Sequence, residues 1–74
     1  MTDKQTIEVR KASHYYYSSE KKIKAFRDGA EEASMMTRAT GRKMIDRAKE
    51  LGKDKQEAEA FVSGGRFFLK LNRN

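Results

Sequence analysis

The stretch DGAEEASMMTRATGRKMIDRAKELG, Asp28 to Gly52, decides how the rest of the chain is read. Asp28 is placed to accept a hydrogen bond as a helix N-cap, and Glu31 stands three residues on to reach back, a capping box with Asp in the Ser/Thr role. Glu31 and Glu32 put negative charge at the positive end of the helix dipole. At the far end Arg47 and Lys49 fall in the last turns, and Gly52 suits the left-handed residue that follows a helix. Between them Ala30, Ala33, Thr37, Thr40, Met44, Ala48 and Leu51 recur every three or four residues and share one face. The spacing predicts one main helix over 28–52. Two alternatives stay open. Gly41 costs ~1 kcal/mol relative to Ala inside a helix, so a break near Thr37–Gly41 would give two helices. Ile23 and Phe26 are in phase with Ala30 and Ala33, which allows a start at Ser18 or Ser19. Against that start stand Lys21 and Lys22 at the positive end of the dipole and Gly29 in the helix interior.

Working outward, Thr6-Ile7-Glu8-Val9-Arg10 alternates apolar and polar, and Tyr15-Tyr16-Tyr17 adds residues that favour strands. Ser18-Ser19-Glu20 reads as a turn, and Lys22-Ile23-Lys24-Ala25 alternates again. These predict two antiparallel strands, 6–17 and 21–27. After Gly52, Asp54-Lys55-Gln56-Glu57 repeats the capping-box pattern and opens a short helix to about Ser63, with Ala58, Phe61 and Val62 on its inner edge. Gly64-Gly65 ends it, and Arg66 to Leu71 alternates into a last strand. The expectation is an α+β fold of order ββααβ: a three-stranded antiparallel sheet with one long and one short helix on one face. Residues 1–74 form a single domain in this reading, with frayed ends at 1–5 and 72–74.

With 74 residues the core is thin, and with no cysteine neither disulfides nor thiolate metal sites can reinforce it. Support is expected from a partner or from self-association into a homo-oligomer. The amino-terminal MTDKQT is polar, and no apolar run approaches the ~20 residues of a membrane span, so a soluble, cytoplasmic protein without membrane contact is expected.

The sequence holds little that could do chemistry. His14 is the single histidine, which leaves a metal site without ligands. Asp46 and Glu50, one turn apart, are better placed to pair with Arg42, Arg47 and Lys53 than to act as a catalytic carboxylate pair. Ser63-Gly64-Gly65-Arg66 follows a helix, whereas a phosphate loop precedes one. A helix-turn-helix over Ala48, Gly52, Ala58 and Phe61 has Lys53 where an apolar residue belongs, and acids Asp54, Glu57 and Glu59 on its reading helix. Neither an enzyme nor a cofactor is expected.

Charge is the informative feature. Seventeen Lys and Arg oppose eleven Asp and Glu, a net +6. Residues 36–53 hold six basic and two acidic groups, and residues 65–74 hold Arg66, Lys70 and Arg73 with no acid. On one continuous helix Arg38, Arg42, Lys49 and Lys53 fall within about 60° of arc and span ~22 Å, a row able to track a phosphate backbone. In alternating strands Tyr16 and Phe68 face away from the core and are free to stack on bases. Arg38, Arg42, Lys49, Lys53, Arg66, Tyr16 and Phe68 are therefore the candidate contacts. The first expectation is a small basic protein binding nucleic acid or a nucleoprotein complex. The alternative is a protein-binding inhibitor or adaptor, of the kind common among phage accessory proteins, meeting an acidic partner surface with the same residues.

Overall fold

The computed structural model describes residues 1–73. Four helices follow one another: α1 (Asp3–Tyr16), α2 (Glu20–Met35), α3 (Gly41–Glu50) and α4 (Lys55–Arg73). There is no strand among the described residues, so the expected three-stranded sheet and the α+β class are both corrected to all-α. The three segments read as strands, 6–17, 21–27 and 66–71, lie in α1, α2 and α4.

The correction at α1 has a local cause. In α1 Thr2 accepts from the Gln5 amide (3.1 Å) while Gln5 Oε1 accepts from the Thr2 amide (2.9 Å), a capping box that sets a helix start. Val9, Ala12 and Ser13 then form the buried edge, a three-four spacing that outweighs the short alternation at 6–10. The buried Ser13 hydroxyl donates to the Arg10 carbonyl at 2.7 Å and is satisfied locally.

The main helix starts at Ser19 and not at Asp28, which is interior to α2. The objections at Lys21 and Gly29 are answered by α4, while Lys22 has no carboxylate partner among the described residues. Lys21 sits in an unfavourable first turn, but its ammonium reaches Asp54 (2.8 Å) and Glu57 (3.6 Å) at the start of α4. Gly29 is required by close approach: a methyl there would overlap the Phe61 backbone carbonyl. Gly64 is its reciprocal, since a methyl at Gly64 would overlap the Phe26 carbonyl. The two helices thus cross backbone to backbone. The glycines read as the end of a short helix instead let α4 continue to Arg73 against α2.

The 28–52 helix breaks at the alternative position. α2 ends at Met35, the chain turns through Arg38 at φ 52°, and Thr40 caps α3 by accepting from the Lys43 amide at 3.2 Å. Gly52 (φ 68°) closes α3, with Gly52 N–H donating to Lys49 and Lys53 N–H to Ala48, the Schellman arrangement. Asp54 caps α4 by accepting from the Glu57 amide at 2.8 Å. That bond first, then Lys21, lowers the Asp54 carboxyl from 3.8 to about 2.

Phe26, Phe61, Met44, Val9 and Phe68 fill the core, with Ala25, Ala30, Ala33, Ala48 and Ala60 allowing the helices to approach closely. α1 lies against α2 and α4, and α3 against α4. The result is a slab 30 × 29 × 14 Å. The ends expected to fray carry helix from Asp3 and as far as Arg73, and Asn74 lies outside the described residues. Among the described residues no helix is long and apolar enough to cross a membrane.

Candidate functional site

The helix break divides the predicted basic row. Arg42 and Lys49 remain exposed on one line of α3, seven residues apart. Arg38 stands in the α2–α3 turn, and Lys53 is half-buried in the next turn with its ammonium 5.4 Å from the Phe61 ring centre. Arg42 also lies 3.9 Å from Asp46, an exposed pair one turn apart. Two neighbouring cations are structural. Lys43 donates to the Thr37 carbonyl at 2.8 Å, and Arg47 bridges Glu32 (3.0 Å) on α2 and Glu50 (3.1 Å) on α3. Those two carboxylates, Glu32 first, raise the Arg47 guanidinium above its ordinary value.

A different assembly forms where α1 ends beside α4. Tyr16, Tyr17, Phe26, Ser63, Arg66, Phe67 and Lys70 line a groove of about 400 Å³. Buried Phe26 is its floor, with ring centres 6.0 Å from Tyr16, 5.9 Å from Tyr17 and 5.7 Å from Phe67. The rings are tilted by 44–58° to Phe26 and do not stack flat on it. Tyr16 keeps 59 % of its surface exposed, in a molecule that buries Phe26, Phe61 and Phe68. Arg66 and Lys70 are exposed on the rim, and neither has a carboxylate partner among the described residues. No Asp or Glu lines the groove.

Of the predicted contacts, then, Tyr16 and Arg66 come together here, while Arg38, Arg42, Lys49 and Lys53 lie on and around α3. Arg66 approaches the second group, since its Nε is 3.2 Å from where a side chain at Gly41 would begin. Phe68 does not face outward. It is 6 % exposed and part of the core, because in a helix the neighbour Phe67 is the residue turned toward the groove. Tyr17, Phe67 and Lys70 were not among the candidates. The signal for Phe67 and Lys70 was present: Ser63, Arg66, Phe67 and Lys70 are spaced i, i+3, i+4, i+7, one face of a helix once the two glycines are not read as a stop.

Other clusters are mixed in character. His14 lies exposed with Lys24, Arg27, Asp28 and Glu31 around a shared hollow. A cavity of about 630 Å³ carries Arg38 and Arg73 above Ala33, Ala39 and Phe68. No group of three His, Cys, Asp or Glu residues that could hold a metal ion occurs among the described residues. α3, its turn and α4 have helix-turn-helix connectivity, but the exposed start of α4 offers Lys55, Gln56 and Glu59, a nearly neutral set for a phosphate-facing helix. Comparison with protein-family models, curated proteins and solved structures gives no significant match for this chain.

Proposed function

We propose that this chain is a small non-enzymatic protein that binds nucleic acid, with phosphate contact dominating and little choice of sequence. The observation that carries the reading is the acid-free cationic line Arg66, Lys70 and Arg73, at i, i+4 and i+7 on the exposed side of α4, with the aromatic groove along its edge. Arginine and lysine without carboxylate partners are available to displace counterions from a phosphate backbone. The molecule's net +6 adds a long-range attraction of the same sign. Arg42 and Lys49 extend the positive surface across α3.

Binding to DNA and RNA measured across salt concentrations tests this. Arg66→Glu with Lys70→Glu should weaken binding on every sequence alike and lower the salt slope of log K by roughly 0.7 per lost contact on single strands, or roughly 0.9 on duplex DNA. No binding by the wild type at ~50 mM salt, where electrostatic association is strong, would remove the reading.

One observation favours a second reading. Ile45 stands exposed between Arg42 and Lys49 on α3, an apolar anchor flanked by cations that suits an acidic protein surface. Pull-down from lysate with and without nuclease separates the two: capture that survives nuclease, and is lost in Ile45→Asp, belongs to a protein partner.

A further inference from the structure

We infer that the groove between the end of α1 and α4 is a base-stacking site, and that the nucleic acid this protein takes is single-stranded. The inference rests on the nucleic-acid reading and narrows it.

The groove offers two kinds of contact side by side. Tyr16, Tyr17 and Phe67 present aromatic surface over the Phe26 floor, and Arg66 and Lys70 hold the rim. A base has a π-face for the first and its phosphate a charge for the second, so one nucleotide satisfies both. The Ser63 hydroxyl, also on the lining, can donate to or accept from a base edge or sugar. About 400 Å³ lies within the ~300–1,000 Å³ of small-ligand sites, which is room for a base. In a duplex the π-faces are covered by neighbouring base pairs, and an aromatic side chain reaches them only by unstacking a step. A single strand presents them at no such cost. Among the described residues no carboxylate lines the groove, so the lining itself does not repel a phosphate and gives a cationic or amine ligand no counter-charge. Tyr16 is the decisive ring, being the most exposed residue of the aromatic lining.

The test uses the full chain and labelled strands of about 12 nucleotides, oligothymidylate and oligouridylate, beside a duplex of the same length, at ~50 mM salt. The wild type should bind the single strands more tightly than the duplex, and the DNA and RNA strands together show whether the sugar matters. Tyr16→Ala should weaken single-strand binding roughly five- to 150-fold, the range for loss of one base–aromatic stack, while Tyr16→Phe retains it. The salt slope should stay the same in Tyr16→Ala, because no phosphate contact is removed. A strand carrying 2-aminopurine should lose fluorescence on binding the wild type and not on binding Tyr16→Ala. Circular dichroism of the variants confirms that the helices are retained. Duplex bound as tightly as single strand, with Tyr16→Ala unchanged, would overturn the stacking site and leave the nucleic-acid reading standing. No binding to any strand would overturn both.

Discussion

Replacing Gly64 with Ala adds one methyl and, on helix propensity alone, should stabilise α4 by ~1 kcal/mol. The structure predicts the opposite. The methyl would overlap the Phe26 carbonyl of α2, a backbone atom that cannot rotate away, so the two central helices have to separate. Overpacking of a close-packed core costs about 1–3 kcal/mol, and a backbone obstacle places this site at the upper end. After the propensity gain the net loss is about 2 kcal/mol. A chain of 74 residues has a total stability of only ~4–11 kcal/mol at the usual 0.05–0.15 per residue. At ~4–8 °C per kcal/mol for a domain of this size, Tm should fall by about 8–16 °C in a far-ultraviolet circular dichroism melt. Gly29→Ala should fall by a similar amount, since its methyl meets the Phe61 carbonyl in the reciprocal position. Gly41→Ala is the contrast: only the flexible Arg66 side chain lies near, at 3.2 Å, and the change should stay within about 0.5 kcal/mol. A Gly64→Ala protein that melts at or above the wild-type temperature would refute the backbone-to-backbone crossing.

Three further outcomes are expected. Arg38→Gly should raise stability by about 0.5–1 kcal/mol in urea denaturation, because φ 52° is a left-handed conformation that penalises any residue with a Cβ; a loss would mean that the Arg38 side chain holds the turn. Phe68→Ala should cost about 3–5 kcal/mol as a core truncation, whereas a solvent-facing phenylalanine would be removed with little effect. The Asp54 carboxyl titrates lower in the fold, at about 2, than its ordinary 3.8, so it stabilises above the ordinary value and the contribution is lost as pH falls through that interval. Asp54→Asn, which keeps an N-cap acceptor, should therefore be less stable than wild type near neutral pH, with the gap closing as pH falls from about 4 to 2; a gap that does not change with pH would show that the charge makes no contribution.

What the sequence made legible was mostly the ends of helices. The stop at Gly52, the cap at Asp54 and the inner positions Met44, Ala48 and Phe61 are all read from residues one turn apart. The break at Thr37–Gly41 stood as an alternative for the same reason. What failed at α2 and α4 depends on partners distant in sequence. Gly29 and Gly64 carry identical local signals whether they break a helix or admit another helix's backbone, and only α2 meeting α4 decides, while Gly65 makes room for the Met44 side chain of α3. Lys21 is unfavourable on local grounds and is compensated by Asp54 and Glu57 opposite it. At α1 the Thr2–Gln5 capping box competes in the sequence with the alternation at Thr6–Arg10 and three successive tyrosines, and in the fold the cap prevails. The strand reading also moved the candidate site: strand alternation exposes Phe68, and helical spacing turns Phe67 to the groove. Tyr16 is exposed in either geometry, so its position among the candidates does not depend on the strand reading.

The crossing of α2 and α4 also limits how this molecule can move. Advancing α4 one turn along α2, ~5.4 Å, would carry the Phe61 carbonyl from Gly29 toward Ala25 or Ala33, where a methyl already occupies the space. There is no second register to ratchet into, so the pair behaves as a fixed beam. The connections at 17–19, 36–40 and 51–54 and the outer helices α1 and α3 lie outside that crossing. Arg66, Phe67 and Lys70 stand on the beam, while Tyr16 and Tyr17 close α1 outside it. The groove thus has one wall inside the crossing and one outside it, and occupancy should register as slowed amide exchange in α1 more than in α2 and α4.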